Sequence, residues 1–212
     1  MPISAKEIRG WFDGSAAGFR DTIGRLDPAR LDDPGLGDWT VRSLLGHTCR
    51  AFLTIESYLA AAEGVSIDPE SVLDGPIAYF RAAFASVGDP AAVAARGVAA
   101  GLDLGDDPVG AALTIADRVG DLVPVLPDDA PLLSPVGPMR LIDYLPTRAF
   151  ELTVHSLDLT SALGLEPGPD LLRAAPRAIE LAAALAEPGR AVTVLRAMTG
   201  RDGLAPGFTV LG

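Results

Sequence analysis

The feature that most constrains this chain is the spacing of its apolar residues. They recur every three or four positions in one segment after another, the period of a helix with one buried face. From Ser4 to about Leu26, the residues Ile8, Trp11, Phe12, Phe19, Ile23 and Leu26 keep this spacing, and Pro28 lies just beyond. Thr40 is placed to cap a second helix carrying Val41, Leu44, Leu45, Phe52, Ile55, Tyr58 and Leu59 and ending near Gly64. Ser43 stands where a capping box would have Glu or Gln. A short third helix is predicted within Pro69–Val87, and a weaker, Ala-rich one over Ala91–Ala100. Pro108 suits the first turn of the next, which runs through Leu113, Ile115, Val119 and Leu122 to Pro124. Four prolines between Leu126 and Pro138 predict a loop there. Arg140–Leu163 reads as a long helix with Pro146 inside it and Gly164 closing it, followed by helices at Asp170–Ala186 and Ala191–Thr199 and an irregular tail, Gly200–Gly212. Strand-like alternation is confined to Gly207–Leu211 and Ala191–Leu195. The expected class is all-α, a helix bundle in a single domain, 1–212, with a helical core over about 4–187 and a helix and tail over 188–212.

Composition excludes several roles. With 49% hydrophobic and 21% charged residues the chain is too apolar for disorder. Its 28 acidic and 17 basic side chains, net −11, are the wrong balance for binding a phosphate backbone, so nucleic acid is not an expected partner. The longest run free of Asp, Glu, Lys and Arg is about ten residues, against the roughly 18 to 20 that a spanning helix needs. No membrane span is expected, and the mixed charges of the first nine residues do not resemble a signal peptide. The single cysteine, Cys49, fits a reducing compartment, so a cytoplasmic location is expected.

Chemistry has few candidates. The chain has two histidines, His47 and His155, and histidine is both the commonest metal ligand and a base near neutral pH. Glu151 precedes His155 by four residues, which puts both on one helical face within reach of a common ion. Tyr144, Arg148 and Asp158 lie within about 60° of that pair, a polar face in an otherwise apolar helix. The same Glu/His spacing also describes a surface ion pair, and His47 taken alone reads as an ordinary core or surface histidine. Cys49 sits about 200° around the helix from His47 and reads as a small buried residue. Gly10, Gly14 and Gly18 place small residues along one face for close packing, Trp39 reads as a hydrophobic staple before Thr40, and Arg50 and Thr54 share the His47 side.

Two segments carry a resemblance. Asp38-Trp39-Thr40-Val41-Arg42-Ser43-Leu44-Leu45-Gly46-His47 and Arg148-Ala149-Phe150-Glu151-Leu152-Thr153-Val154-His155-Ser156-Leu157-Asp158-Leu159 resemble the two signatures of the mycothiol-dependent maleylpyruvate isomerase family, in the DinB-like superfamily. Leu195–Arg201 and Pro206-Gly207-Phe208 resemble the closing stretch of its short members. The resemblance implies a DinB-like four-helix bundle with additional short helices and a divalent metal, usually zinc, held by His47, Glu151 and His155. It implies an enzyme that uses a low-molecular-weight thiol such as mycothiol on a small organic acid or electrophile, as an isomerase or S-transferase. Arg148 would orient a carboxylate or Glu151, and Asp158 would support a ligating histidine. A non-catalytic DinB-like binding protein and a thiol-independent metal hydrolase are the alternatives, and a homodimer is left open.

Overall fold

The structure is a computed structural model, and it describes residues 3–86 and 90–210. The helices are α1 (Ala5–Gly24), α2 (Val41–Ala62), α3 (Gly75–Ser86), α4 (Pro90–Asp103), α5 (Pro108–Leu122), α6 (Leu141–Leu163), α7 (Pro169–Leu185) and α8 (Pro188–Met198), with one hairpin, β1 (Pro131–Ser134) and β2 (Gly137–Arg140). The all-α expectation holds. Helices α1, α6, α2 and α5 form a ring, each packed on the next, which is the DinB-like bundle; α7 lies on α1 and α6, α4 on α2, and α3 on α6.

Local chemistry explains the helix starts. Ser4 and Glu7 exchange hydrogen bonds in a capping box at α1. Thr40 caps α2 by accepting the Ser43 N–H, and the Ser43 hydroxyl lies 3.2 Å from the Thr40 hydroxyl. Asp107 caps α5 with Pro108 in its first turn, and Gly164 ends α6 at φ +62°, a conformation that glycine adopts without strain. Apolar faces then meet in the ring, where Phe12 and Phe19 set their rings edge-on to Phe52.

One expectation needs correction. The proline-rich stretch Leu126–Pro138 is not all loop: residues 131–134 pair antiparallel with 137–140, and Leu132 and Met139 are buried. A two-stranded ribbon has no central strand, so its prolines cost few ladder bonds, and Ser134 closes the turn by donating to the Gly137 carbonyl. The short helix expected within Pro69–Val87 is α3, preceded by a 3-10 turn at 69–71 and by Leu73, which donates its N–H to the Pro138 carbonyl of the hairpin; Val87 lies outside the described residues. The tail is irregular as expected: among the described residues, 200–210 form no strand despite the alternation at 207–211, and Leu211 lies outside them. Of the three glycines on α1, only Gly18 is closely approached, by Leu171 of α7.

Helix α4 is held unusually near α2. A Cβ on Gly46 would fall 2.3 Å from the backbone of Ala100 and Gly101, and one on Gly101 would fall 2.8 Å from the Arg42 carbonyl. A Gly46→Ala variant is therefore expected to lose about 1 to 3 kcal/mol of stability through overpacking. Gly10→Ala, on an open helix surface, is expected to be neutral or to gain up to about 1 kcal/mol. Paired denaturant titrations check both signs.

Candidate metal centre

Helices α2 and α6 are neighbours in the ring, and this adjacency joins what the sequence keeps over a hundred positions apart. About two turns into α2 from the Thr40 cap, His47 faces α6; Glu151 and His155, one turn apart, face α2. One potential ligand atom from each residue lies within 4.8 Å of the other two. The His47 and His155 ring centroids sit 4.8 Å apart with the rings nearly perpendicular, a T-shaped arrangement. Such a set of two imidazoles and one carboxylate suits a divalent transition ion and leaves coordination positions for an exogenous ligand.

Surrounding groups fix these side chains. Asp158 lies 2.9 Å from Nδ1 of His155, which orients the ring and leaves Nε2 on the Glu151 side, 3.2 Å from its carboxylate. The His47 Nδ1 is buried and has no hydrogen-bond partner among the described residues. A buried nitrogen without a partner is costly, and a ligand at the imidazole edge would offset that cost. Trp39 lies over His47 with ring centroids 4.6 Å apart, and its indole N–H donates to the Ala94 carbonyl of α4. The structure thus gives Trp39 more than a stapling role: it ties α4, through the close approach of Gly97, to the His47 ring.

Electrostatics separate the two histidines. Burial lowers the His47 pKa to about 4, helped by the charge of His155, so its imidazole is neutral at pH 7. Burial also opposes charge on His155, but the hydrogen bonds with Asp158 and Glu151 outweigh it and raise the pKa to about 9. Glu151 is opposed by burial in the same way, and His155 with Arg148 holds it ionised, well below the usual carboxylate range. Without an ion, the pair is a carboxylate and an imidazolium.

A cavity of about 280 Å³ opens beside this cluster, with His47 and Glu151 in its wall. Arg148 also lines it, 7% exposed, with its guanidinium 4.7 Å from the Tyr144 ring centroid and 5.6 Å from that of Tyr79. It donates to the hydroxyls of Thr147 and Thr54, and Thr54 accepts from the Tyr144 hydroxyl as well. Arg50 and Thr54, on the His47 side of α2, both reach the cavity. Cys49 does not; it is buried, its thiol pushed up to about 12, and it lines a separate apolar depression with Leu53 and Leu104. Tyr79, Phe80 and Arg96 complete the wall from α3 and α4. These three lie outside both sequence signatures, and only the isolation of Arg96 in an Ala-rich helix marked it in the sequence.

Comparison with known proteins agrees with the two histidine segments. A family model described as the mycothiol maleylpyruvate isomerase N-terminal domain matches residues 12–160, more than half of the chain and inclusive of His47, Glu151, His155 and Asp158. No curated protein and no solved structure matches.

Proposed function

The chain belongs to the mycothiol maleylpyruvate isomerase N-terminal domain family, and on that premise we propose that it is an enzyme that binds a divalent cation, zinc in the first instance, through His47, Glu151 and His155. Its second reactant is a small thiol of the mycothiol kind, and its reaction is isomerisation or S-transfer on a small electrophilic acid. The observation that carries this reading is the convergence of the three potential ligand atoms from α2 and α6 within 4.8 Å at the edge of a cavity. When bound, a divalent ion lowers the pKa of a coordinating thiol and so supplies a thiolate at neutral pH.

The chain's own residues do the rest. Asp158 holds the His155 ring through Nδ1, and Trp39 covers one face of His47. Arg148 stands next to Glu151 on the cavity wall, placed to orient a carboxylate, while Tyr79 and Phe80 give an apolar surface that limits water. On a maleylpyruvate-like acid, attack of the thiolate on the cis double bond leaves a single bond free to rotate. Expulsion of the thiolate then returns the thiol and the trans acid.

Turnover is expected to require the thiol. Conversion of a cis-unsaturated acid measured with and without added mycothiol tests this, and equal rates in both would sink the reading. Asp158→Asn is expected to weaken zinc binding about 10- to 100-fold while preserving the fold, because Asp158 acts on the ion only through His155. Competition with a chromophoric chelator measures it; unchanged affinity would remove Asp158 from the site.

A further inference from the structure

Helix α7 carries two apolar faces, where a surface helix ordinarily carries one. Its inner face, Leu171, Ala174, Ala178, Leu181 and Leu185, is buried, and the helix packs on α1, α6 and α3. Nearly opposite, Leu172, Pro176, Ile179 and Ala183 follow one another at spacings of four, three and four residues, which aligns them as one ridge along the helix. All four are exposed. Leu172 is 62% and Ile179 49% exposed, so nothing in this chain covers the ridge. Single exposed apolar side chains are ordinary, but a continuous row of them marks a contact surface.

The charges of α7 decide what that ridge can meet. Asp170, Arg173, Arg177 and Glu180 all lie on the flank toward α1, where Arg177 bridges to Glu7 beside a shallow depression containing Gly10 and Gly14. The opposite flank is alanine, at Ala175 and Ala182. Nearest the ridge on the charged side stand Arg173 and Glu180, of opposite sign and about two turns apart. A two-fold axis crossing α7 at right angles between Arg177 and Ala178 lays the helix antiparallel on its own copy. Pro176 then meets Ile179 of the second copy, and Leu172 meets its Ala183. The charged flanks face each other, and Arg173 of each chain comes within about 3 Å, along the helix axis, of Glu180 of the other. A parallel pairing would set the charged flank against the alanines instead. Within α7, Arg173 pairs with Asp170 and Glu180 with Arg177, and such exposed contacts cost little to rearrange.

We propose that the outer ridge of α7 is the contact surface of an antiparallel homodimer, in which a second copy of this chain covers Leu172 and Ile179 and Arg173 pairs with Glu180 across the two-fold axis in both directions. The surface is complementary to itself in apolar shape and in charge, which is what a two-fold contact requires. One helix pair is at the small end of specific interfaces, so the dimer forms at micromolar concentration and comes apart on dilution. No ridge residue lines the cavity beside His47 and Glu151, and the inference is independent of the reaction assigned there.

Sedimentation velocity of the full chain from about 1 to about 200 µM, at low ionic strength, tests the pairing. The wild type is expected to move from the single-chain mass of 21.9 kDa toward twice that value as concentration rises. Ile179→Glu, at an exposed position, is expected to stay at the single-chain mass throughout, with an unchanged circular dichroism spectrum. Two charge variants test the geometry. Arg173→Glu and Glu180→Arg each oppose like charges across the axis, so each alone is expected to associate at least about fivefold more weakly than the wild type. Their equimolar mixture restores opposite charges in both pairs and is expected to regain most of the wild-type association. A wild type that remains single at about 200 µM, an Ile179→Glu chain that still pairs, or a mixture no heavier than its separate components would each overturn the proposal.

Discussion

Protein produced in zinc-supplemented medium and purified without chelator is expected to carry about one divalent ion per chain, and His155→Ala is expected to carry none and to lose thiol-dependent turnover to background. The expectation follows from the position of His155 between Glu151 and Asp158 and in a T-shaped arrangement with His47: its removal takes away one of three donors and the contact through which Asp158 acts. Alanine at a helical position that is partly open to solvent leaves the backbone intact, so the circular dichroism spectrum should be unchanged. Elemental analysis by mass spectrometry reads the outcome. A metal-free wild type after supplementation, or a His155→Ala chain that still holds stoichiometric zinc, would remove the metal centre from the account.

Zinc affinity is expected to rise about tenfold for each pH unit between about pH 5 and about 9, and then to level off. The sign comes from which histidine holds a proton in the metal-free protein. His155 is raised to about 9 despite its burial by Asp158 and Glu151, so the ion must displace one proton from it across this whole window. His47, lowered to about 4 chiefly by burial, is already neutral and adds no second proton. Glu151 is ionised throughout. Apparent dissociation constants at pH 6, 7, 8 and 9 give the slope directly: a slope of one is expected, whereas a flat profile or a slope of two would contradict the assignment. The metal-free fold carries the complementary dependence. Stability supplied by protonated His155 is complete below its unfolded pKa near 6.5 and is lost as pH rises through about 9.

Much of this architecture was legible in the chain because helix formation is local. Ser4, Thr40 and Pro108 mark starts, Gly164 marks an end, and apolar residues at three- and four-residue spacing mark the buried faces between. The hairpin at 131–140 was not legible, because its prolines signal loop to any local reading, and only the fit of Leu132 and Met139 into the core selects the paired form. Likewise, the start of α3 at Gly75 follows Leu73, which gives its N–H to the hairpin, a partner 65 positions away. Cys49 is buried, as its position alone implies, whereas Trp39, a hydrophobic staple by its place before Thr40, also lies with its ring against His47.

By itself, the sequence determined the helical class, the capped boundaries of α1, α2, α5 and α6, and the placing of Glu151 and His155 on one face, since each depends on residues no more than a few positions apart. Only the tertiary structure decided what those faces meet. It brought His47 on α2 against α6, laid Trp39 over it, and gathered Arg50, Arg96 and Arg148 from three helices around one cavity. Ring order and the close α2–α4 approach at Gly46 and Gly101 are set by packing between distant segments, and no local spacing encodes them.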